Sequence, residues 1–252
     1  MTPPVVLTIA GSDSGGGAGI QADLKTFAAL GAYGTSVITA VTAQNTLGVT
    51  AIHPIPVDIV AAQLDAVLAD FPVAAVKVGM IGDPAVAALI ADRADRLPNL
   101  VVDPVLVATS GARLADTAAV APLVSHHCVL TPNRQEAGAL TGSPVETPEE
   151  MVAAAELLAK RGARAVVVTG SETAADVLWH DGAAETLHGE SVPTANNHGS
   201  GCTFSSAVAV RLAAGDSMPV AVRAAKRYVT AALSGGSDWR LGAGPGPLNH
   251  FI

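Results

Sequence analysis

Aromatic side chains are scarce: Phe, Trp and Tyr make up 3% of the 252 residues, although half the chain is hydrophobic. The core must therefore be built from Ala, Val, Leu and Ile, which suits helix layers packed closely on a buried parallel sheet. Basic residues are also few, 14 Lys and Arg against 22 Asp and Glu, for a net charge of −8. No Lys/Arg cluster occurs, which argues against nucleic acid as a partner, because phosphate neutralisation dominates that affinity. Phosphorylated small molecules stay open, since backbone amides and a metal can neutralise them locally. The two cysteines, Cys128 and Cys202, have neither metal-ligand spacing nor a disulfide framework. A reduced, cytoplasmic compartment is the expectation, and Met-Thr-Pro-Pro ahead of Val5–Ala10 lacks the basic start and long apolar stretch of a signal peptide. No Asp, Glu, Lys or Arg falls between Lys25 and Asp58, yet Gly31, Gly34, Gln44, Asn45, Pro54 and Pro56 interrupt that stretch. No run of about 18 apolar residues survives to cross a membrane.

Short aliphatic runs alternate with Ala-rich helical patterns. Val5–Ala10 reads as a strand, Gly11–Gly19 as a glycine loop, and Gly19–Leu30 as a helix stopped by Gly31. Strands follow at Thr35–Val41 and Val49–His53, then a helix at Val57–Ala69, a strand at Ala74–Val78, a helix at Pro84–Ala94 and a strand at Leu100–Val102. The second half gives strands at Cys128–Thr131, Ala165–Thr169, Asp176–Trp179 and Glu185–Leu187. Its helices are predicted at Asn133–Leu140, Pro148–Arg161, Cys202–Ala214 and Val220–Leu233. This alternation predicts one α/β domain over residues 1–252, with a mostly parallel sheet. Such sheets bind ligands beyond the carboxyl ends of their strands. Polar clusters fall at those places: Gly11–Ser14, Thr42–Asn45, Asp103, Thr131–Asn133 and Thr169–Ser171.

Three constellations have the residue types for chemistry. Gly11-Ser-Asp-Ser-Gly-Gly-Gly-Ala-Gly19 lacks the Lys and Ser/Thr that close a P-loop, and fits a dinucleotide fingerprint only loosely. It is either a flexible turn or, given Asp13 and Asp23, a loop that hydrogen-bonds a polar ligand. His198-Gly-Ser-Gly-Cys202 precedes a helical run, so Gly199, Ser200 and Gly201 leave unpaired amides at a positive helix end, suited to phosphate oxygens. The helix start would lower the pKa of Cys202 and make it a proton acceptor; the alternative is an ordinary cap beside a small buried hydrophobe. Asn133-Arg-Gln-Glu136 either orients water around Mg²⁺ or forms a capping box. Asp103, ahead of Pro104, is a functional carboxylate at a strand end or an Asx-turn. Gln44 is a hairpin tip or an amide offered to a heteroaromatic ring, as Gln pairs with adenine. His126 and His127 lack metal spacing and read as surface or core histidines.

Together these motifs resemble the hydroxymethylpyrimidine/phosphomethylpyrimidine kinases of the ribokinase superfamily. The resemblance is carried by LTIAGSDSGGGAGIQADLKTFAALGAYGTSVITAVTAQNT (Leu7 to Thr46), Lys77-Val-Gly-Met80, Asp103-Pro-Val, Thr131-Pro-Asn-Arg-Gln-Glu136 and Asn197-His-Gly-Ser-Gly-Cys202, in order. It implies a three-layer sandwich with helices on both faces of the sheet. It also implies an ATP- and Mg²⁺-dependent enzyme, commonly a homodimer. The implied reaction phosphorylates 4-amino-5-hydroxymethyl-2-methylpyrimidine to its monophosphate and then to the diphosphate. By the same resemblance, Gly199 to Cys202 form the anion hole, with Cys202 in the place of an aspartate base. Gln44 reads the pyrimidine, with Gly11, Asp23, Met80 and Val107 around it. Asp103, Asn133 and Glu136 serve the Mg²⁺, and Thr169, Asn197 and Lys226 lie towards ATP.

Two positions depart from the pattern. Thr169 and Thr109 stand where many members carry lysines facing the phosphates. Both losses weigh more on the second, more highly charged phosphorylation. Related pyridoxal kinases also lack the first lysine, so pyridoxal remains an alternative substrate. A non-catalytic small-molecule sensor on the same fold is a third reading.

Overall fold

The computed structural model describes residues 2–106, 117–170 and 175–252. One nine-stranded sheet dominates it, in the order β3-β2-β1-β4-β5-β6-β7-β8-β9. The strands are β1 (Val5–Asp13), β2 (Tyr33–Asn45), β3 (Gly48–Pro54), β4 (Val73–Val78), β5 (Leu100–Val102), β6 (Val129–Leu130), β7 (Ala165–Val168), β8 (Ala175–His180) and β9 (Ala183–His188). From β2 to β7 all neighbours are parallel; β3 at one edge and the β8–β9 pair at the other run antiparallel. The helices are α1 (Gly19–Ala29), α2 (Val57–Asp70), α3 (Pro84–Ala91), α4 (Thr117–Val124), α5 (Arg134–Thr141), α6 (Pro148–Lys160), α7 (Ser200–Ala213) and α8 (Met218–Gly236). A short 3₁₀ turn covers Ala94–Arg96. Among the described residues, no helix is long and apolar enough to cross a membrane.

Side chains alternate across the parallel strands, so each strand feeds two cores. Val6, Ala75, Val101, Val129, Ala165 and Val167 pack with Phe27 of α1 and with α7 and α8. Leu7, Ile9, Val76, Val78, Val102, Leu130 and Val166 pack on the other face with α2, α3, α4 and α6. Two apolar layers around one sheet give the expected α/β sandwich, and aliphatic side chains fill both.

The chain departs from its sequence pattern at β1 and α4, and β2 runs past Val41 to Asn45. β1 does not stop at Ala10 but continues to Asp13, pairing with β2 through a register shift between Ala10 and Ser12. The glycine read as the start of a loop is held as strand by the long neighbour β2. Helix α4 was not legible, and it carries Pro122 in its interior, which breaks a helical pattern on paper.

One polar group crosses the core between α1, β4 and α7. The Lys77 ammonium, fully buried, bonds both oxygens of Asp23 at 2.9 and 3.0 Å. Thr8 Oγ1 (2.6 Å) and Ser206 Oγ (2.7 Å) donate to the same carboxylate. Burial works against the lysine charge, but Asp23 and, with it, the nearby Asp103 and Cys202 together outweigh it and hold the ammonium above the ordinary lysine range. Lys77→Met leaves Asp23 charged in the core and is expected to lower stability by about 3–5 kcal/mol. Lys77→Met with Asp23→Asn removes both charges and is expected to recover most of that loss. Urea unfolding midpoints measure it; equal destabilisation of single and double variants would assign the cost to packing alone.

Candidate active site

The parallel strands all end at one rim, and the polar clusters gather there around a cavity of about 210 Å³. Gly11 and Asp13 come from β1, Gln44 from β2, Met80 from the turn after β4, and Asp103 from the end of β5. Asn133 and Glu136 enter from the start of α5, Thr169 from the end of β7, and Gly199, Ser200, Gly201 and Cys202 from the start of α7. Residues more than a hundred positions apart thus face one space.

Three expected residues lie elsewhere. Asp23 does not line the cavity: it is fully buried beneath it, its carboxylate taken up by Thr8, Lys77 and Ser206. Lys226 pairs with Asp176 at 2.7 Å, and the other oxygen of Asp176 accepts the Gly170 amide at 3.0 Å. That places Lys226 one link behind the Thr169 end of β7 rather than on the cavity wall. Asn197 is exposed, and its carbonyl accepts the Ser200 amide at 3.1 Å. Val107 lies outside the described residues, as do Thr109 and Ser171.

The first glycine loop is built around its own carboxylate. Asp13 accepts the amides of Gly15 (2.7 Å), Gly17 (3.0 Å) and Ala18 (2.9 Å), so these donors point inward and are not free for a phosphate. His198 Nε2 adds a contact to Asp13 Oδ2 at 3.1 Å. Burial raises the Asp13 pKa, but these bonds outweigh it and hold the carboxyl below its ordinary range. The His198 ring lies against Gly17, where a β-carbon would collide with it, and a β-carbon on Gly199 would collide with the Gly17 carbonyl. Two glycine loops from opposite ends of the sequence therefore interlock. His198, Thr42 and Ser12, which also line the cavity, carried no sequence signal beyond their place inside the motifs.

The second glycine loop does keep its donors. Gly199 takes φ +85° and caps α7 without a side-chain bond. Among the described residues, the Gly201 and Cys202 amides have no protein partner, and the helix macrodipole adds positive potential there. The expected lowering of the Cys202 pKa is not what the site produces. Burial pushes the thiol up to about 12, against the nearby Lys77 ammonium, so Cys202 rests as a neutral thiol. The Asp103 carboxylate and the Gly19 amide lie near that thiol, the carboxylate holding its pKa up and the amide drawing it down.

Asn133 and Glu136 form the capping box: Asn133 Oδ1 accepts the Glu136 amide and Glu136 Oε2 accepts the Asn133 amide, each at 2.9 Å. Glu136 nonetheless faces Asp103 across the cavity. Burial pushes Asp103 up to about 6, and burial together with the Asp103 charge pushes Glu136 up to about 8. Ser205 Oγ donates to Asp103 at 3.2 Å. Among the described residues, no cluster of three or more His, Cys, Asp or Glu is arranged as a metal cage. Two hard carboxylates that repel each other fit a Mg²⁺ ion that keeps most of its water. Both folded pKa values lie above the unfolded ones near 3.8 and 4.5, so the folded state binds more protons and stability falls as pH rises from about 4 to 8. The thermal midpoint of the metal-free protein is expected to drop across that window, and less so in Glu136→Gln. Parallel pH curves for the two proteins would show that the carboxylates do not interact.

The family described as phosphomethylpyrimidine kinase matches residues 13–249. A hydroxymethylpyrimidine/phosphomethylpyrimidine kinase of Rhizobium meliloti is 48% identical, over 98% of this chain and 97% of that protein. A crystal structure of a Clostridium difficile phosphomethylpyrimidine kinase superposes with a TM-score of 0.80 at 38% identity, over 91% of this chain and 99% of the other. A Staphylococcus aureus pyridoxal kinase in complex with AMP-PCP and pyridoxal superposes with a TM-score of 0.90 at 34% identity, over all of this chain and 94% of the other. With a match over residues 13–249, which include Gln44, Asp103, Asn133, Thr169 and the Gly199–Cys202 turn of the cavity, the chain belongs to the phosphomethylpyrimidine kinase family.

Proposed function

We propose that residues 1–252 form one kinase domain that transfers the γ-phosphoryl group of ATP to the hydroxymethyl group of 4-amino-5-hydroxymethyl-2-methylpyrimidine. The observation that carries this reading is the pairing, across one cavity, of free amides at Gly201 and Cys202 with the Gln44 carboxamide. Amides at a helix start stabilise charge on a phosphoryl group in flight. A half-buried carboxamide recognises a ring nitrogen beside an amine.

In the reaction, the alcohol oxygen forms its bond to the γ-phosphorus as the bond to the β-phosphate oxygen breaks. Gly201 and Cys202 N–H groups hold the equatorial oxygens. The alcohol proton passes to Cys202 sulfur while the thiol proton moves to the neighbouring Asp103 carboxylate, which lines the same cavity. A strongly basic group is not required, because in a loose transition state the hydroxyl sheds its proton late. Asp103 and Glu136 would hold Mg²⁺ through water, with Asn133 fixing the Glu136 carboxyl. A bound Mg²⁺ supplies charge neutralisation to the ATP phosphates. Thr169 lies at the ATP side of the cavity, with Lys226 behind it.

A second phosphorylation, to the diphosphate in thiamine biosynthesis, belongs to the same proposal but with less positive charge at hand, because Thr169 and Thr109 stand at positions often lysine. The enzyme acts in this reading as a cytoplasmic homodimer on small molecules, with no nucleic-acid or membrane partner. The likeness to a pyridoxal kinase supports one alternative substrate; Gln44 favours the aminopyrimidine.

Incubation with Mg-ATP and the pyrimidine alcohol is expected to give its monophosphate, faster than pyridoxal gives its own. A folded protein that turns over neither alcohol would end the kinase reading in favour of a sensor. Cys202→Ala is expected to cut kcat by about 10²–10⁴-fold and to leave ATP binding nearly intact. Equal loss of both would give Cys202 a packing role.

A further inference from the structure

Gln44 lies between two neighbours. Its amide nitrogen is placed 3.4 Å from His198 Nε2, and its amide oxygen 3.1 Å from Thr42 Oγ1. The hydrogens do not balance in that arrangement. Asp13 already accepts three backbone amides and is a carboxylate, so His198 Nε2 at 3.1 Å must carry a hydrogen and donate to it. An N–H of Gln44 would then face an N–H of His198. Thr42 has one hydroxyl hydrogen, yet two acceptors would claim it: the Ser12 carbonyl at 3.0 Å and the Gln44 oxygen at 3.1 Å. Two donors would meet at one end of the amide and two acceptors compete at the other.

Turning the amide over satisfies every group, since its oxygen and nitrogen are nearly the same size. Gln44 oxygen then accepts from His198 Nε2–H, which it shares with Asp13. Gln44 nitrogen donates to Thr42 Oγ1, whose own hydrogen goes to Ser12. We infer that His198, clamped on Asp13, sets the facing of the Gln44 carboxamide and is a positioning residue for substrate specificity. Resting on the kinase reading above, this inference gives the ligand a direction. The amide keeps one N–H on its Thr42 side and one lone pair on its His198 side. A ring nitrogen therefore binds towards Thr42, and the adjacent exocyclic amine towards His198. The clamp is rigid on both sides: His198 and Asp13 are buried, and the imidazole rests on Gly17, whose missing side chain makes room for it.

Two measurements test the clamp. In the wild-type protein, nitrogen NMR of the His198 ring is expected to show Nε2 protonated; a neutral ring protonated only at Nδ1 would overturn the inference whatever the variants do. The second compares kcat/KM for the aminopyrimidine alcohol with that for its analogue bearing hydrogen in place of the amine. His198→Leu is expected to reduce this preference about tenfold to hundredfold with the KM for ATP within about twofold. His198→Gln, whose Nε2–H can occupy the same place, restores it. Gln44→Ala gives the same loss, and adding His198→Leu to it gives no more. Additive losses, or an unchanged preference with slower turnover of both alcohols, would make His198 a packing residue. A wild-type enzyme that phosphorylates neither alcohol sinks the kinase reading and leaves the ring tautomer to judge the clamp.

Discussion

The site depends on one carboxylate that never leaves the protein's own grasp. Asp13 gathers the amides of Gly15, Gly17 and Ala18 and the ring of His198. It thereby turns a run of glycines, which would otherwise cost most conformational entropy to order, into a fixed wall. The same carboxylate ties that wall to the loop in front of α7. The Gly199 turn stands against the Gly17 carbonyl because neither residue has a side chain. Where the free amides of Gly201 and Cys202 point is thus decided by a contact some 180 residues away in sequence, between Asp13 and His198.

Charge is arranged around the cavity with little to spare. The chain carries a net charge of −8, and Lys77, buried in the core, is paired with Asp23. Lys77 offsets part of the Asp103 charge, but burial prevails, and both Asp103 and Glu136 are driven towards protonation. A phosphate-handling site with such walls must take its positive potential from backbone amides and a divalent ion. That is a coherent division of labour. In the proposed reaction the amides would hold the group in transfer, the carboxylates would hold the ion, and the neutral thiol of Cys202 sits at the junction beside Asp103. Burial is what keeps that thiol neutral, overriding the helix end that would otherwise favour a thiolate.

The family relation and the geometry meet at Gln44. Kinases named for a pyrimidine and for pyridoxal both superpose on the chain, so the fold alone does not choose the alcohol. The choice falls to the few side chains that offer hydrogen bonds to the ring. Of these, Gln44 has both its amide atoms engaged by neighbours that are themselves engaged, Thr42 by Ser12 and His198 by Asp13. In the proposed reading, recognition is then a property of a chain of bonds and not of a single residue.

Much of the architecture was readable along the sequence, because buried parallel strands must be aliphatic and the helices between them must alternate with them. The strand-end clusters at Asp103, Thr131–Asn133 and Thr169 named the rim before it was seen, since a polar residue ending an aliphatic run has few other places to go. The Asn133–Glu136 spacing allowed two readings, and the folded chain gives the capping box while leaving Glu136 facing Asp103. What the sequence left undecided was which of its polar groups would be consumed by one another. Asp23 goes under the floor to Lys77, Lys226 to Asp176, and the first glycine loop to Asp13. Residue type and spacing determine what a side chain is able to bond. Only the packing of α1, α7 and the strand ends against one another determines which partner is within 3 Å, and therefore which groups remain free for a ligand.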